Sequence, residues 1–219
     1  MKKIKAVIFD MDGVLFDTER MYLNAWKLLG DKYGFCDAEQ SAIECIGLSF
    51  ADSSELLKKK YGEDFKLSEY QKEIHCMVTA KMFRDGMPLK PGAKEILQYL
   101  SDRGYPLGLA SSTLADRVHQ FLERAGLKQY FDIIVGGDMI EHSKPNPQIY
   151  LLACEKLGYK PENTVVVEDS RNGILSAYNA GMITFMVPDI VRPNEEVLKM
   201  VLKKFDSLFG VKKYFEEYT

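Results

Sequence analysis

The stretch AVIFDMDGVLFDT, residues 6–18, decides the fold. Ala6, Val7, Ile8 and Phe9 form a short apolar run of the kind that a strand buried on both faces requires. The run ends abruptly in Asp10, Met11, Asp12 and Gly13. Two carboxylates one residue apart, just past the carboxyl end of a buried strand, stand where open α/β sheets bind ligands. Gly13 lets the backbone turn away at once. Asp and Gly are also ordinary turn residues, so the later strand-like runs decide between a plain acidic turn and a site.

Composition sets the bounds. With 219 residues, 46% of them hydrophobic, the chain can bury one good core, or one core plus a small accessory domain. A net charge of -3 offers no basic field for nucleic acid. No apolar run is long enough to span a bilayer, and MKKIK leads straight into the first strand without a cleavage-site pattern. The expectation is a cytoplasmic protein with neither a membrane nor a nucleic-acid partner. Cys36, Cys45, Cys76 and Cys154 lack metal-ligand spacing and read as reduced apolar residues. His75, His119 and His142 lie far apart and suggest neither zinc nor a triad.

Beyond the first turn the pattern is helical from 19 to 83, with Met21, Tyr22, Ala25, Trp26, Leu28 and Leu29 at helical spacing. Gly47 breaks this region, Ser49 or Asp52 caps the next helix, and Ser68 with Gln71 predicts a capping box. Core packing is the expected role of Trp26. Gly86, Pro88 and Pro91 mark a return linker. Residues 17–87 are therefore expected to form an inserted all-α cap domain, hinged near 16–19 and 84–91, and residues 1–16 with 88–219 an α/β core.

In that core, helix 92–103, strand 107–110, helix 114–125, strand 133–135, helix 147–157 with Asn146 as its N-cap, strand 164–167, a helix from Ser170 to 180 and strand 183–187 follow in turn. One or two helices fill 194–209. This alternation predicts a Rossmann-like, mostly parallel sheet with helices on both faces. The carboxyl ends of its strands share one edge. Asp10 and Asp12, Ser111, and Glu168 with Asp169 should converge there.

The chemistry of that set is coherent. Asp10 is placed to attack, Asp12 can carry a proton, Ser111 can donate to an oxyanion, and Lys144 adds positive charge. Glu168 and Asp169 offer hard oxygen ligands that suit Mg²⁺. A carboxylate approaching a phosphate dianion is repelled unless opposite charges stand within ~4 to 6 Å. Both the lysine and a metal answer that need.

D-x-D-G-V, L-A-S-S, S-K-P-x-P and E-D-S-x-x-G-I-x-x-A-x-x-A-G-M, in this order between 6 and 182, together resemble the haloacid dehalogenase superfamily. The branch most similar is that of the β-phosphoglucomutase-like phosphatases with a helical cap after the first motif. The resemblance implies Asp10 as nucleophile, Asp12 as general acid and base, and Ser111 and Lys144 as ligands of the transferring phosphoryl group. It implies Asp10, the backbone carbonyl of Asp12, and Asp169 as Mg²⁺ ligands, with Glu168 beside them. Ser112, Thr113 and Asn172 fall near the site, where capping or backbone bonding accounts for them equally well.

An aspartate at 12 favours phosphate esters over halides or phosphonates, whose leaving groups need no such acid. Mutases of this branch hold a second phosphate with an arginine and a histidine of the cap; here Phe50 and Tyr22 stand at those positions, although Arg20, Lys27, Lys81 and Arg84 leave the cap other cations. The expected activity is thus a Mg²⁺-dependent phosphatase of a small phosphorylated metabolite, a sugar, polyol or nucleotide phosphate, acting through an aspartyl phosphate. A sugar phosphate mutase is the alternative. An inactive regulatory relative is disfavoured, because every catalytic position is filled. Oligomeric state is left open, and a monomer is compatible with the sequence.

Overall fold

The computed structural model describes residues 4–46 and 48–218. The elements run β1 (Ala6–Phe9), α1 (Thr18–Tyr33), α2 (Ala38–Cys45), α3 (Phe50–Tyr61), α4 (Leu67–Asp85), α5 (Ala93–Asp102), β2 (Leu107–Ala110), α6 (Ala115–Ala125), β3 (Ile133–Val135), α7 (Gln148–Leu157), β4 (Thr164–Glu168), α8 (Arg171–Asn179), β5 (Ile183–Met186), α9 (Glu195–Leu198), β6 (Lys203–Lys204) and α10 (Leu208–Tyr218). Two compact units result, Met1–Asp17 with Met87–Thr219, and Thr18–Gly86. Among the described residues no helix is long and apolar enough to cross a membrane.

The first unit is built on one sheet of order β3-β2-β1-β4-β5-β6, parallel throughout. The chain winds outward from β1 to β3, returns across to β4, and winds the other way. β1 and β4 therefore flank the crevice where doubly wound sheets bind ligands. Side chains alternate between the faces. Ile8, Ala110, Val135 and Val166 share a core with Ile149, Tyr150 and Ala153 of α7 and Ala177 of α8. Facing the other way, Phe185 meets Phe205, Tyr214 and Phe215 at centroid distances of 5.1, 4.9 and 6.2 Å, all edge-on. Helices thus cover both faces, as the sequence predicts.

The outgoing and returning segments are paired within this unit. Asp17 N donates to Pro88 O at 2.8 Å and Lys90 N to Leu15 O at 2.9 Å. Lys90 Nζ donates to Asp189 Oδ1 at 2.6 Å and lies 3.6 Å from Asp17 Oδ1.

In the second unit α1 packs on α2 and α4, and α2 on α3. Leu57, Phe65 and Leu67 are buried, with Trp26, Phe35, Tyr61 and Tyr70 packed around them. Trp26 therefore takes the core role expected of it. Ser49 caps α3 by accepting from Asp52 N at 3.1 Å.

Three local expectations need correction or limits. The Ser68–Gln71 box does not form, because α4 begins at Leu67, which is 3% exposed and drawn into the core beside Leu57. Burial of one apolar side chain outweighs a cap here. The stretch 194–209 is not continuous helix: short α9 is followed by the two-residue edge strand β6, and α10 starts only at Leu208. Lys203 and Lys204 are exposed and carry no apolar alternation to betray a strand; lysines on an edge also discourage further pairing. The Gly47 break and residues 1–3 of the basic start lie outside the described residues.

Candidate active site

The first unit brings the expected groups to the carboxyl edge of its sheet. Asp10 follows β1 directly, and its N donates across to Val167 O of β4 at 3.0 Å. Gly13 has a φ of +77°, and a Cβ added there would strike the Asp169 carboxylate. Glycine is thus required twice, for the turn and for the close approach of Asp169. After β2, Ser111 is 1% exposed and its Oγ accepts from Thr113 N at 3.0 Å. The Thr113 hydroxyl in turn donates to Asp12 Oδ2 at 3.2 Å.

Lys144 arrives on the loop before α7, and polar side chains fix that loop. Gln148 Oε1 accepts from Glu141 N and His142 N at 3.0 and 2.9 Å, while Ser176 Oγ of α8 donates to Asn146 O at 2.7 Å. The N-cap is Pro147 rather than the expected Asn146, because α7 starts one residue later than expected, at Gln148; Asn146 lies one residue further out, where its Oδ1 accepts from Gln148 N at 3.0 Å. So held, Lys144 Nζ donates to Asp10 Oδ1 at 2.5 Å, Glu168 Oε1 at 2.8 Å and Tyr150 OH at 3.0 Å. The ammonium has three protons, and these contacts occupy them.

Glu168 ends β4 and is 1% exposed. Its Oε1 accepts from Lys144 and from Tyr150 OH, the latter at 2.9 Å. Its Oε2 accepts from Asp169 N, Ser170 N and Ser170 Oγ at 2.9, 3.0 and 3.0 Å. A Cβ on Gly173 would collide with this carboxylate, so the first turn of α8 closes directly over it. Both oxygens are committed to hydrogen bonds.

Electrostatics separates the two carboxylates that share Lys144. Burial pushes Glu168 up, but the charge and hydrogen bond of Lys144, with those of Ser170 and Tyr150, hold it below its ordinary value. Burial would lower the lysine, yet Asp10 and Glu168 hold it well above the ordinary lysine range. Asp10 is pushed up to about 8, first by burial, with Glu168 and Asp12 adding repulsion and Lys144 opposing. One cation cannot serve both anions, and Asp10 is the one left short.

Asp10, Glu168 and Asp169 each place a carboxylate oxygen within 4.8 Å of the others. The donor set is all oxygen, which matches a hard divalent cation, and a further positive charge is what an ionised Asp10 lacks. The residues present therefore fit such an ion. Because both oxygens of Glu168 are engaged, Asp10 and Asp169 are the better-placed donors.

Tyr150 was absent from the sequence-derived set. A tyrosine on the otherwise apolar face of α7, six residues after Lys144, was the available signal, since a buried hydroxyl needs a partner. Thr113 is tied to Asp12 through its side chain, beyond the local capping that also explained its place.

Comparisons with known proteins place the chain in a family. Residues 7–187 match the profile of the haloacid dehalogenase-like hydrolases. A phosphorylated carbohydrates phosphatase of Thermotoga maritima is 35% identical over 179 residues, 82% of this chain and 82% of that protein. The crystal structure of a HAD family hydrolase from Deinococcus radiodurans, with bound phosphate and sodium, superposes with a TM-score of 0.83 at 25% identity, covering 99% of this chain and 97% of that one. A β-phosphoglucomutase structure from Clostridium difficile gives a TM-score of 0.72 at 25% identity, covering 98% and 96%.

Proposed function

This chain belongs to the haloacid dehalogenase-like hydrolases and is an enzyme acting on phosphate esters, and on that premise we propose that it is a Mg²⁺-dependent phosphatase of a small phosphorylated sugar, polyol or nucleotide. The observation that carries this reading is the Lys144 ammonium, 2.5 Å from Asp10 and 2.8 Å from Glu168 at the crevice beside β1 and β4. A buried cation beside an under-compensated carboxylate suits attack on an anionic phosphorus centre.

In this reading an oxygen of Asp10 bonds to phosphorus as the bond to the substrate's alcohol oxygen breaks. Asp12, oriented by Thr113, gives that oxygen a proton. Asp12 then takes a proton from the water that hydrolyses the aspartyl phosphate, releasing inorganic phosphate and regenerating Asp10. Ser111 already accepts from Thr113 N, so its own proton remains for a phosphoryl oxygen. Lys144, whose protons are taken by Asp10, Glu168 and Tyr150, attracts the same oxygens through its charge. Asp10, Asp169 and the backbone carbonyl of Asp12 would hold Mg²⁺, with Glu168 behind them as the anion that positions Lys144. The ion supplies the charge that lets an anionic carboxylate approach a phosphate dianion.

The likeness to the Thermotoga phosphatase and to a Deinococcus hydrolase that binds phosphate supports hydrolysis of a phosphate ester. Similarity to the Clostridium mutase favours a second reading, transfer within a sugar phosphate. That reaction needs a second phosphate clamp, and Phe50 supplies no donor; Tyr22 offers one hydroxyl, which already bonds His75 Nδ1 at 3.0 Å. We assign substrate choice to the helical unit Thr18–Gly86 and place the enzyme in the cytoplasm, where such metabolites are made.

Phosphate release from p-nitrophenyl phosphate, with Mg²⁺ and then with EDTA, tests the reaction. Asp10→Asn is expected to abolish turnover, and Asp12→Asn to lower it by about 10² to 10⁴-fold, the usual reach of general acid–base catalysis. Full activity of Asp10→Asn removes the nucleophile from the scheme. A metabolite panel that follows glucose 1-phosphate both for phosphate release and for isomerisation decides between phosphatase and mutase.

A further inference from the structure

A second concave site lies at the opposite edge of the same sheet. Lys5 precedes β1 and Pro106 precedes β2, whereas Asp10 and Ser111 follow those strands. Four residues at ~3.3 Å each put roughly 13 Å between the two edges. There, a cavity of about 400 Å³ is lined by Lys5, Tyr99, Arg103, Tyr105, Pro106 and Tyr159, among others. That volume is within the range of about 300 to 1,000 Å³ typical of small-molecule sites.

The lining combines two chemistries. Lys5 and Arg103 are exposed, and no carboxylate pairs with either among the described residues. The lysines of the helical unit's surface, by contrast, include Lys32, Lys66 and Lys81, each beside an acidic partner. The second chemistry is a wall of three tyrosines. Tyr105 is braced edge-on against Phe215 at 5.4 Å. Tyr99 carries the Arg103 guanidinium 5.4 Å from its centroid and Lys212 Nζ at 5.1 Å on the same terms. Tyr159 is half-buried and has neither a ring nor a cation against it among the described residues, and none of the three hydroxyls has a hydrogen-bond partner there.

A sugar phosphate would use the cations but offer the tyrosines only the C–H faces of its ring, with no π-stacking. A neutral aromatic would do the reverse. A planar base carrying a phosphate uses both, since aromatic side chains stack on bases for ~1–3 kcal/mol each and Arg with Lys binds phosphate oxygens. The cleft lining holds two cations, Lys5 and Arg103, which match the charge of a single phosphate and so point to a mononucleotide. We infer that this cleft is a second binding site, remote from the proposed chemistry, for a nucleoside monophosphate whose phosphate lies on Lys5 and Arg103 and whose base lies against Tyr159.

Calorimetric titration with adenosine 5′-monophosphate in EDTA tests this, using the full chain. One molecule is expected to bind, with affinity reduced at least 10-fold by Lys5→Ala with Arg103→Ala and by Tyr159→Ala, and unaltered by Asp10→Asn. Adenosine alone and inorganic phosphate alone should each bind more weakly than the nucleotide. Turnover of p-nitrophenyl phosphate by the double variant should match wild type, which verifies its fold; if its unfolding temperature drops, Arg103→Gln alone replaces it. The inference is overturned by failure of the nucleotide to bind, by affinity that survives the cleft variants or is lost in Asp10→Asn, or by phosphate or adenosine binding as tightly as the nucleotide.

Discussion

Tyr150 accepts from Lys144 and donates to Glu168, so removing one oxygen loosens both charged groups. Tyr150→Phe should lower kcat/KM about 10-fold, the equivalent of ~1.4 kcal/mol for one hydrogen bond to charged groups. Steady-state kinetics on p-nitrophenyl phosphate checks this, and an unchanged value would show that the phenol only fills space. Asp10 carries a pH prediction. Its pKa in the metal-free protein is about 8, against an ordinary 3.8. A raised carboxyl stabilises the folded state below its ordinary pKa, and that stability is lost as pH climbs through the folded value. Glu168 shifts the opposite way, but its loss falls in the acid range below its ordinary 4.5. Between about pH 5 and 8, then, the unfolding temperature in EDTA should fall, and Mg²⁺ should restore more of it at the upper end, where no proton competes for Asp10. A flat profile in EDTA would contradict the charge deficit assigned to Asp10. At this scale the sequence exposes Asp10, Asp12, Ser111, Lys144, Glu168 and Asp169, because each follows a strand or sits in a short motif. It hides which of two carboxylates Lys144 satisfies, since that depends on Tyr150, Ser170 and backbone donors meeting Glu168 in space.

Among the elements, α8 connects local sequence to the site most directly. Ser170 Oγ accepts from Gly173 N at 3.0 Å, capping the helix, and donates to Glu168 Oε2 at 3.0 Å. Ser170→Ala should cost ~1–2 kcal/mol, as loss of an N-cap usually does, measurable by urea denaturation. A cost near zero would mean that water replaces both bonds. The turn after β1 is less forgiving. At Gly13 a methyl group meets the Asp169 carboxylate and the backbone is left-handed, so Gly13→Ala should displace Asp169 and cut Mg²⁺ affinity, as titration of metal-dependent activity would report. The strands β1 to β5, the Ser49 cap of α3 and the start of α8 at Ser170 are legible because apolar runs and capping serines each act locally. β6 and the start of α4 are not. The first is two lysines held by pairing with β5, and the second is set by Leu67 meeting Leu57 across the helical unit, contacts that no local pattern encodes.

At the scale of the molecule, the sequence implies an α/β sheet interrupted by helices but not its strand order. The crossing from β3 back to β4, which makes β1 and β4 neighbours, is long-range information. The two compact units also have distinct cores. Leu57 is 0% exposed and packs with Phe65 and Leu67 under the rings of Phe35, Tyr61 and Tyr70, all within 18–86. Ile8, Ala110 and Val166 pack with Tyr150 and Ala177, all outside it. Units with separate cores can open separately, and their amide exchange then reports different free energies. Leu57→Ala leaves a cavity expected to cost ~2–5 kcal/mol. Because that loss lies in the helical unit, protection of amides in α1, α3 and α4 should drop while Val7, Ile8, Val165 and Val166 keep theirs, as residue-resolved hydrogen exchange can measure. Equal loss in both sets would mean that the chain unfolds as one cooperative body, and that the helical unit is held by the sheet rather than by the aromatic cluster it builds for itself.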